Sequence, residues 1–220
     1  MSTFTKRIVM SVLGVVIGGL SVGMFKHAAF GVDPFQALMS GLDAVIPIRF
    51  GTLYVIVNLL LLVFSLIADR HKIGLATCIN LFLLGYVVEF SQAQCARLFP
   101  APGIMARLLL LLAGIVILSL SSALYFTADL GVSTYDAVAL VWSERQTRLP
   151  FQLCRVVTDS VCVIAGIILC LLSGMGPAQI FGAVGIGTVI TAFCMGPLIA
   201  FFNRTVARPL LGISAEAPRK

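Results

Sequence analysis

Ala28-Ala29-Phe30-Gly31-Val32-Asp33-Pro34-Phe35-Gln36-Ala37 returns, with every number advanced by 100, as Ala128-Asp129-Leu130-Gly131-Val132-Ser133-Thr134-Tyr135-Asp136-Ala137. Upstream, Leu20-Ser21 returns in the same register as Leu120-Ser121, without a gap. Downstream, Gly74-x-x-Thr77-x-Ile79-x-x-Phe82-x-x-Gly85 returns after a modest insertion as Gly185-x-x-Thr188-x-Ile190-x-x-Phe193-x-x-Gly196. The chain thus reads as two related halves. In a chain this apolar, a duplication points to a membrane protein whose working site lies between its halves.

Hydrophobic residues make up 60% of the 220 positions and charged residues 11%, too little polar surface for a soluble globule. A membrane span needs roughly 20 mostly apolar residues. Six stretches qualify: 8–28, 50–68, 74–92, 105–127, 151–173 and 179–202. The net charge of +6 says less than where the cations sit. With the N-terminus in the cytoplasm, that side holds Lys6, Arg7, Arg70, Lys72, Arg145, Arg148, Arg204, Arg208, Arg219 and Lys220, against Arg49, Arg97 and Arg107 outside. Both termini are then cytoplasmic, and three spans per half make the second half enter from the opposite side. Counting the short helices described next as spans would put Arg70 and Lys72 outside, which argues against eight spans. Lys6 and Arg7 before an apolar run resemble a signal peptide, but the run is long and aligns with the fourth span, so it is expected to be retained. Six cysteines, Cys78, Cys95, Cys154, Cys162, Cys170 and Cys194, show no paired metal spacing and read as small packing residues.

Between the first two spans, apolar residues recur at Phe35, Leu38, Met39, Leu42, Val45 and Ile46, the spacing of an amphipathic helix over 33–46. Asp33 suits its N-cap and Pro34 its first turn. The matching segment, 133–146, opens with Ser133-Thr134-Tyr135-Asp136, the form of a capping box, and carries Tyr135, Val138, Ala139 and Trp142 as its stripe. Each is 14 residues, roughly 21 Å, too short for a hydrocarbon core about 30 Å thick. They are expected to lie along the surface or dip inward, one at the outer face and one at the inner. Two roles are open for their starts. Gly31-Val32-Asp33 and Gly131-Val132-Ser133 either offer amide protons to an anionic or polar solute at each mouth, or Asp33, Ser133 and Asp136 merely cap their own helices.

Asp159 lies well inside the fifth span, with Arg155 one turn before it. The pair can neutralise itself at i and i+4, or Asp159 faces a watery cavity and binds a cation, a proton or a solute amine while Arg155 sets its charge or holds an anion. Asn58 occupies the matching depth of the second span, against Thr158 or Asp159. Asn58, Asn80, Thr158, Thr188 and Thr191 are either lining residues or interhelical hydrogen-bonding groups. Glu89 and Asp129 lie near span ends, where charge is cheap, and Lys26 and His27 have room to snorkel. Gly14, Gly18 and Gly19, like Gly182, Gly185 and Gly187, form faces for close helix approach.

Phe30-Gly31-Val32-Asp33-Pro34-Phe35, Phe50-Gly51-Thr52, Gly185-Ile186-Gly187-Thr188 and Gly196-Pro197-Leu198 together resemble the YczE-like bacterial integral membrane proteins, akin to the YitT group, over nearly the whole chain. The resemblance implies a multi-pass protein of the bacterial cytoplasmic (inner) membrane and carries over no catalytic or substrate residue. In the family pattern tryptophan follows the proline where Phe35 stands here, and Glu stands in place of Asp159.

The expectation is an all-α polytopic membrane protein, with six transmembrane helices as a 3+3 inverted repeat, 1–100 and 101–220, each half holding one short amphipathic helix and the second ending in a cytoplasmic tail. The function that follows is a small permease or carrier for a small solute or ion, bound between the halves by Asp159, Arg155, Asn58, Asn80, Thr158 and Thr188. The alternative is a non-transporting membrane partner: a scaffold, regulator or substrate-capturing subunit of a larger complex. No phosphate loop, zinc motif, nucleophile elbow or His-rich cluster occurs in the sequence. An enzyme would need to draw acid, base and nucleophile from Asp159, Glu89 and a lone Cys or Ser, so no enzymatic activity, cofactor or metal is expected. The expected partners are the lipid bilayer, the solute or ion, and a membrane protein partner or further copies of the chain, with no nucleic acid.

Overall fold

A backbone surrounded by hydrocarbon has to satisfy its own hydrogen bonds, and a helix does so within one segment. The computed structural model describes residues 3–69, 73–131, 133–145 and 151–212, and every secondary-structure element among them is helical. In chain order these are α1 (Thr3–Ala28), α2 (Pro34–Val45), α3 (Phe50–Asp69), α4 (Leu75–Leu98) and α5 (Ile104–Ala128). Then follow α6 (Thr134–Arg145), α7 (Phe151–Leu172), α8 (Pro177–Ala183), α9 (Ile186–Phe202), a π-helical turn (Asn203–Ala207) and α10 (Arg208–Leu211). Arg70, Lys72, Val132, Arg148, Arg219, Lys220 and the side chains of Arg145 and Arg155 lie outside the described residues.

Thr3–Ala28, Phe50–Ile67, Leu75–Leu98 and Ile104–Ala128 are long and apolar enough to cross a membrane, and Val156–Leu172 and Pro177–Thr191 are shorter apolar stretches. Large apolar side chains point outward along them, with Ile67 81% and Leu172 76% exposed. In water such a surface would aggregate, whereas in lipid it is the outer face a membrane protein presents.

The single span expected over 179–202 is corrected by the structure. α8 ends at Ala183 and α9 begins at Ile186, with Gly185 extended between them. The cause is the loop that follows α1. The Gly31 and Val32 amides donate to the Gly182 and Ala183 carbonyls at 3.1 and 3.3 Å, and the Gly187 amide donates to the Phe30 carbonyl at 2.6 Å. Two helix ends that would otherwise leave orphan backbone groups are closed by one loop. The loop that follows α5 does the same at the start of α4, where the Ala76 amide donates to the Leu130 carbonyl at 3.0 Å.

These loops depend on glycine. Gly31 and Gly131 have φ of +104° and +110°, and a Cβ on either would lie 2.5 Å from the amide nitrogen of Gly185 or Gly74, respectively. Conformation and space both exclude a side chain. α1 packs between α4 and α5. Gly18 sets its backbone against Ser121 of α5, and Gly19 and Gly23 set it against Val87 and Ser91 of α4. Ser21 Oγ donates to the Gly114 carbonyl and Ser121 Oγ to the Gly14 carbonyl, both at 2.7 Å.

Each short helix packs on a long helix distant in the chain. α2 runs along α7, where Gly41 and Gly166 let the backbones approach, and α6 packs against α3 and α7. Their starts were expected at separate mouths, and the structure corrects this. The Phe35 and Tyr135 rings stack inside the protein with centroids 4.9 Å apart and planes at 22°. Phe35 and Met39 are buried in a core shared with Tyr54 and Tyr125, and Leu38, Leu42 and Ile46 pack against it, so most of the apolar stripe of α2 meets protein while Val45 stays exposed.

Candidate functional site

Both short helices start with the capping chemistry read from their sequences. Asp33 accepts from the Gln36 amide at 3.2 Å, with Pro34 opening the helix. Ser133 Oγ accepts from the Asp136 amide at 3.0 Å and donates to the Asp136 carboxylate at 2.7 Å. In a capping box the acidic side chain reaches back to the cap's own amide; here it takes the cap's hydroxyl.

The two starts meet at a cavity of about 700 Å³, within the range of small-molecule sites. Of the residues singled out in the sequence, Asp33, Asn58, Asn80, Ser133, Asp136 and Asp159 all line it. Thr158 and Thr188 are not among the lining residues. Thr188 Oγ1 instead accepts from the Gly185 amide at 3.3 Å, capping α9 just as Thr77 caps α4 at Gly74. Gly14 and Gly18 of α1, Ser121 and Tyr125 of α5, and Thr191 of α9 close the remaining walls.

Hydrogen bonds knit the wall together across the structure. Asn58 is 1% exposed; its amide donates to the Tyr54 carbonyl at 2.8 Å and its oxygen accepts from the Thr134 hydroxyl. The Tyr54 hydroxyl donates to Asn80 at 3.2 Å, and the Tyr135 hydroxyl donates to the Asp159 carboxylate. Asn58 is therefore both an interhelical bond and a lining residue, and the two roles offered for it coincide.

Among the described lining residues the charged groups are the carboxylates of Asp33, Asp136 and Asp159, with no Lys, Arg or His. Other charges lie elsewhere. Arg49 pairs with Glu89 at 2.9 Å, and Arg7 with Asp129 at 3.5 Å. Lys26 lies over the Phe50 ring, 3.2 Å from its centroid, and His27 meets the Phe99 carbonyl at 2.9 Å, so both have protein partners. Arg107 donates to the Ala28 and Ala29 carbonyls at 2.7 and 2.8 Å, closing the end of α1. Among the described residues, no group of three or more His, Cys, Asp or Glu is arranged to hold a metal ion.

Sequence reasoning missed Tyr54, Tyr125, Gln36 and the Phe35–Tyr135 stack as parts of the site. One signal was present: Phe35 and Tyr135 hold the same place in the two matched stretches, as do Gln36 and Asp136, polar positions beside an apolar stripe.

Three relatives are similar to the chain over most of its length. An uncharacterised protein of Bacillus subtilis, YyaS, is 24% identical over 200 residues, covering 90% of this chain and 93% of its own. An uncharacterised protein of Haemophilus influenzae is 25% identical over 204 residues, 92% of this chain and 86% of its own. The uncharacterised membrane protein YczE of Bacillus subtilis is 22% identical over 214 residues, 93% of each. No solved structure matches. The resemblance to YczE-like proteins is thus borne out. Because the family of unknown function DUF6198 matches residues 5–204, the chain belongs to that family, and with its apolar helices it is an integral membrane protein.

Proposed function

We propose that the chain is a small permease or carrier whose two inverted halves, 1–100 and 101–220, enclose the solute site. In this reading α1, α3 and α4 of the first half and α5, α7 and the α8–α9 pair of the second cross the bacterial cytoplasmic membrane, with both termini in the cytoplasm. The observation that carries it is the cavity, where the starts of α2 and α6 meet Asn58, Asn80 and Asp159 from three separate long helices. Paired contacts support the inverted halves. Ser21 to Gly114 is matched by Ser121 to Gly14, and Phe30 to Gly187 by Leu130 to Ala76. Reciprocal contact of this kind is what a two-fold relation produces, and carriers with inverted repeats bind solute where the repeats meet. The site binds and releases; no bond-making chemistry is assigned to it.

The test is a thermal-stability screen of purified protein against metabolites and ions, followed by uptake into liposomes, because a solute that binds the folded state raises its stability. A selective shift, lost in a folded Asp159→Asn variant and accompanied by uptake, is expected. Binding without uptake, or no shift across a broad library, would favour the non-transporting partner instead. Topology has its own check. A cysteine placed between Gly174 and Gln179 should react with an impermeant reagent from outside, and labelling from the cytoplasm alone would overturn the inverted halves.

A further inference from the structure

Among the described residues, two buried groups of the cavity wall lack partners. Gln36 and Tyr125 line the cavity, at 3% and 6% exposure. The Gln36 Oε1 and Tyr125 hydroxyl have no hydrogen-bond partner among the described residues. An amide oxygen only accepts, so what Gln36 lacks is a donor. Such a group is costly to leave buried, and a wall that keeps one gains from a solute supplying a hydrogen-bond donor, which an ammonium or guanidinium does through N–H.

Charge points independently to the same chemistry. The starts of α2 and α6 each bring about half a positive charge, whereas Asp33, Asp136 and Asp159 bring three carboxylates to the same space. Among the described lining residues the carboxylates prevail, which disfavours an anionic solute. The size of the cavity, with no three-ligand cluster among the described residues, argues against a bare metal ion. Phe35 stacks on Tyr135, with Tyr54 edge-on to Phe35 at 5.9 Å. These rings suit an apolar body and attract a cation to their faces.

Building on the carrier reading of this cavity, we propose that its solute is a small organic monocation bearing N–H donors, a primary ammonium or a guanidinium, on an apolar or aromatic body. Asp159 and Asp33 take the charge, Gln36 Oε1 takes an N–H, and the aromatic group holds the body.

The test compares matched probes on the full-length protein in lipid nanodiscs. The cations are butylammonium, phenethylammonium and butylguanidinium; butanol, phenethyl alcohol, butyrate and phenylpropionate are their neutral and anionic counterparts. The cations alone should raise the melting temperature saturably, with apparent affinity at least about tenfold weaker in Asp159→Asn, the loss of one charge-assisted bond. Gln36→Leu removes no charge and is the second variant. It should weaken butylammonium while leaving tetraethylammonium, which has no N–H, unchanged. Equal or larger shifts from the neutral or anionic probes, or none from the cations, would overturn the proposal. Liposome uptake separates it from the carrier reading. Cations that bind but are not taken up leave the solute class standing and remove the carrier, while uptake of anions does the reverse.

Discussion

Gly31 and Gly131 adopt the same left-handed conformation and press on matching helix starts, at Gly185–Thr188 and Gly74–Thr77. A few residues further on the two stretches diverge, with Asp33 where the other has Ser133, Phe35 where it has Tyr135, and Gln36 where it has Asp136. Backbone closure and steric fit have few solutions, and the chain uses one of them twice. The cavity is a different problem. A single solute presents different groups to its two sides, so the matched side chains are free to differ.

The comparison breaks most readily at the glycines. Gly31→Ala and Gly131→Ala should each cost about 3 kcal/mol or more, because φ and space both refuse a Cβ. Thermal unfolding in detergent should fall by roughly 6–12 °C in both. Tolerance of either would show that the clamps are unequal. Next come two arginines in matched positions with unmatched surroundings. Arg107→Ala loses two charge-assisted bonds to the end of α1 and should cost about 2–3 kcal/mol. Arg7→Ala breaks only a pair with Asp129, which is 83% exposed, and should cost less than about 0.5 kcal/mol. Equal melting shifts would remove that asymmetry. The smallest effect sharpens the symmetry instead: Ser21→Ala and Ser121→Ala should each cost about 0.6–1 kcal/mol, the usual worth of an interhelical bond in a membrane, and should match within error.

Much of the scaffold was legible because its causes are local. The apolar runs gave the long helices, and Asp33-Pro34 and Ser133 marked the starts of α2 and α6 through caps acting within one turn. Asn58, Asn80 and Asp159 stood out as polar groups inside apolar runs, and all reached the cavity. What covers each helix was not legible. In lipid the outer face is as apolar as the core, so α4 places Phe82 and Phe90 outward and Leu81 and Val88 inward with no change of residue type to mark the difference. The break at Gly185 was hidden for a related reason. It depends on Phe30, Gly31 and Val32, far away in sequence. Gln36 and Tyr125 went unnoticed because each sits beside an apolar stripe and gains meaning only when the other walls arrive.

The exchange of short helices bears on how the protein is made. α2 leaves the ribosome early, but the helix it packs along, around Gly166, is encoded in the last third of the chain. Until then Phe35, Met39 and the Gly31 loop have no final seat, and the contacts they await are the long-range ones that form slowly. Biosynthesis therefore has to shelter an unfinished first half within the membrane until translation is well advanced. Fragments 1–100 and 101–220 made separately should be degraded alone and rescued by co-expression.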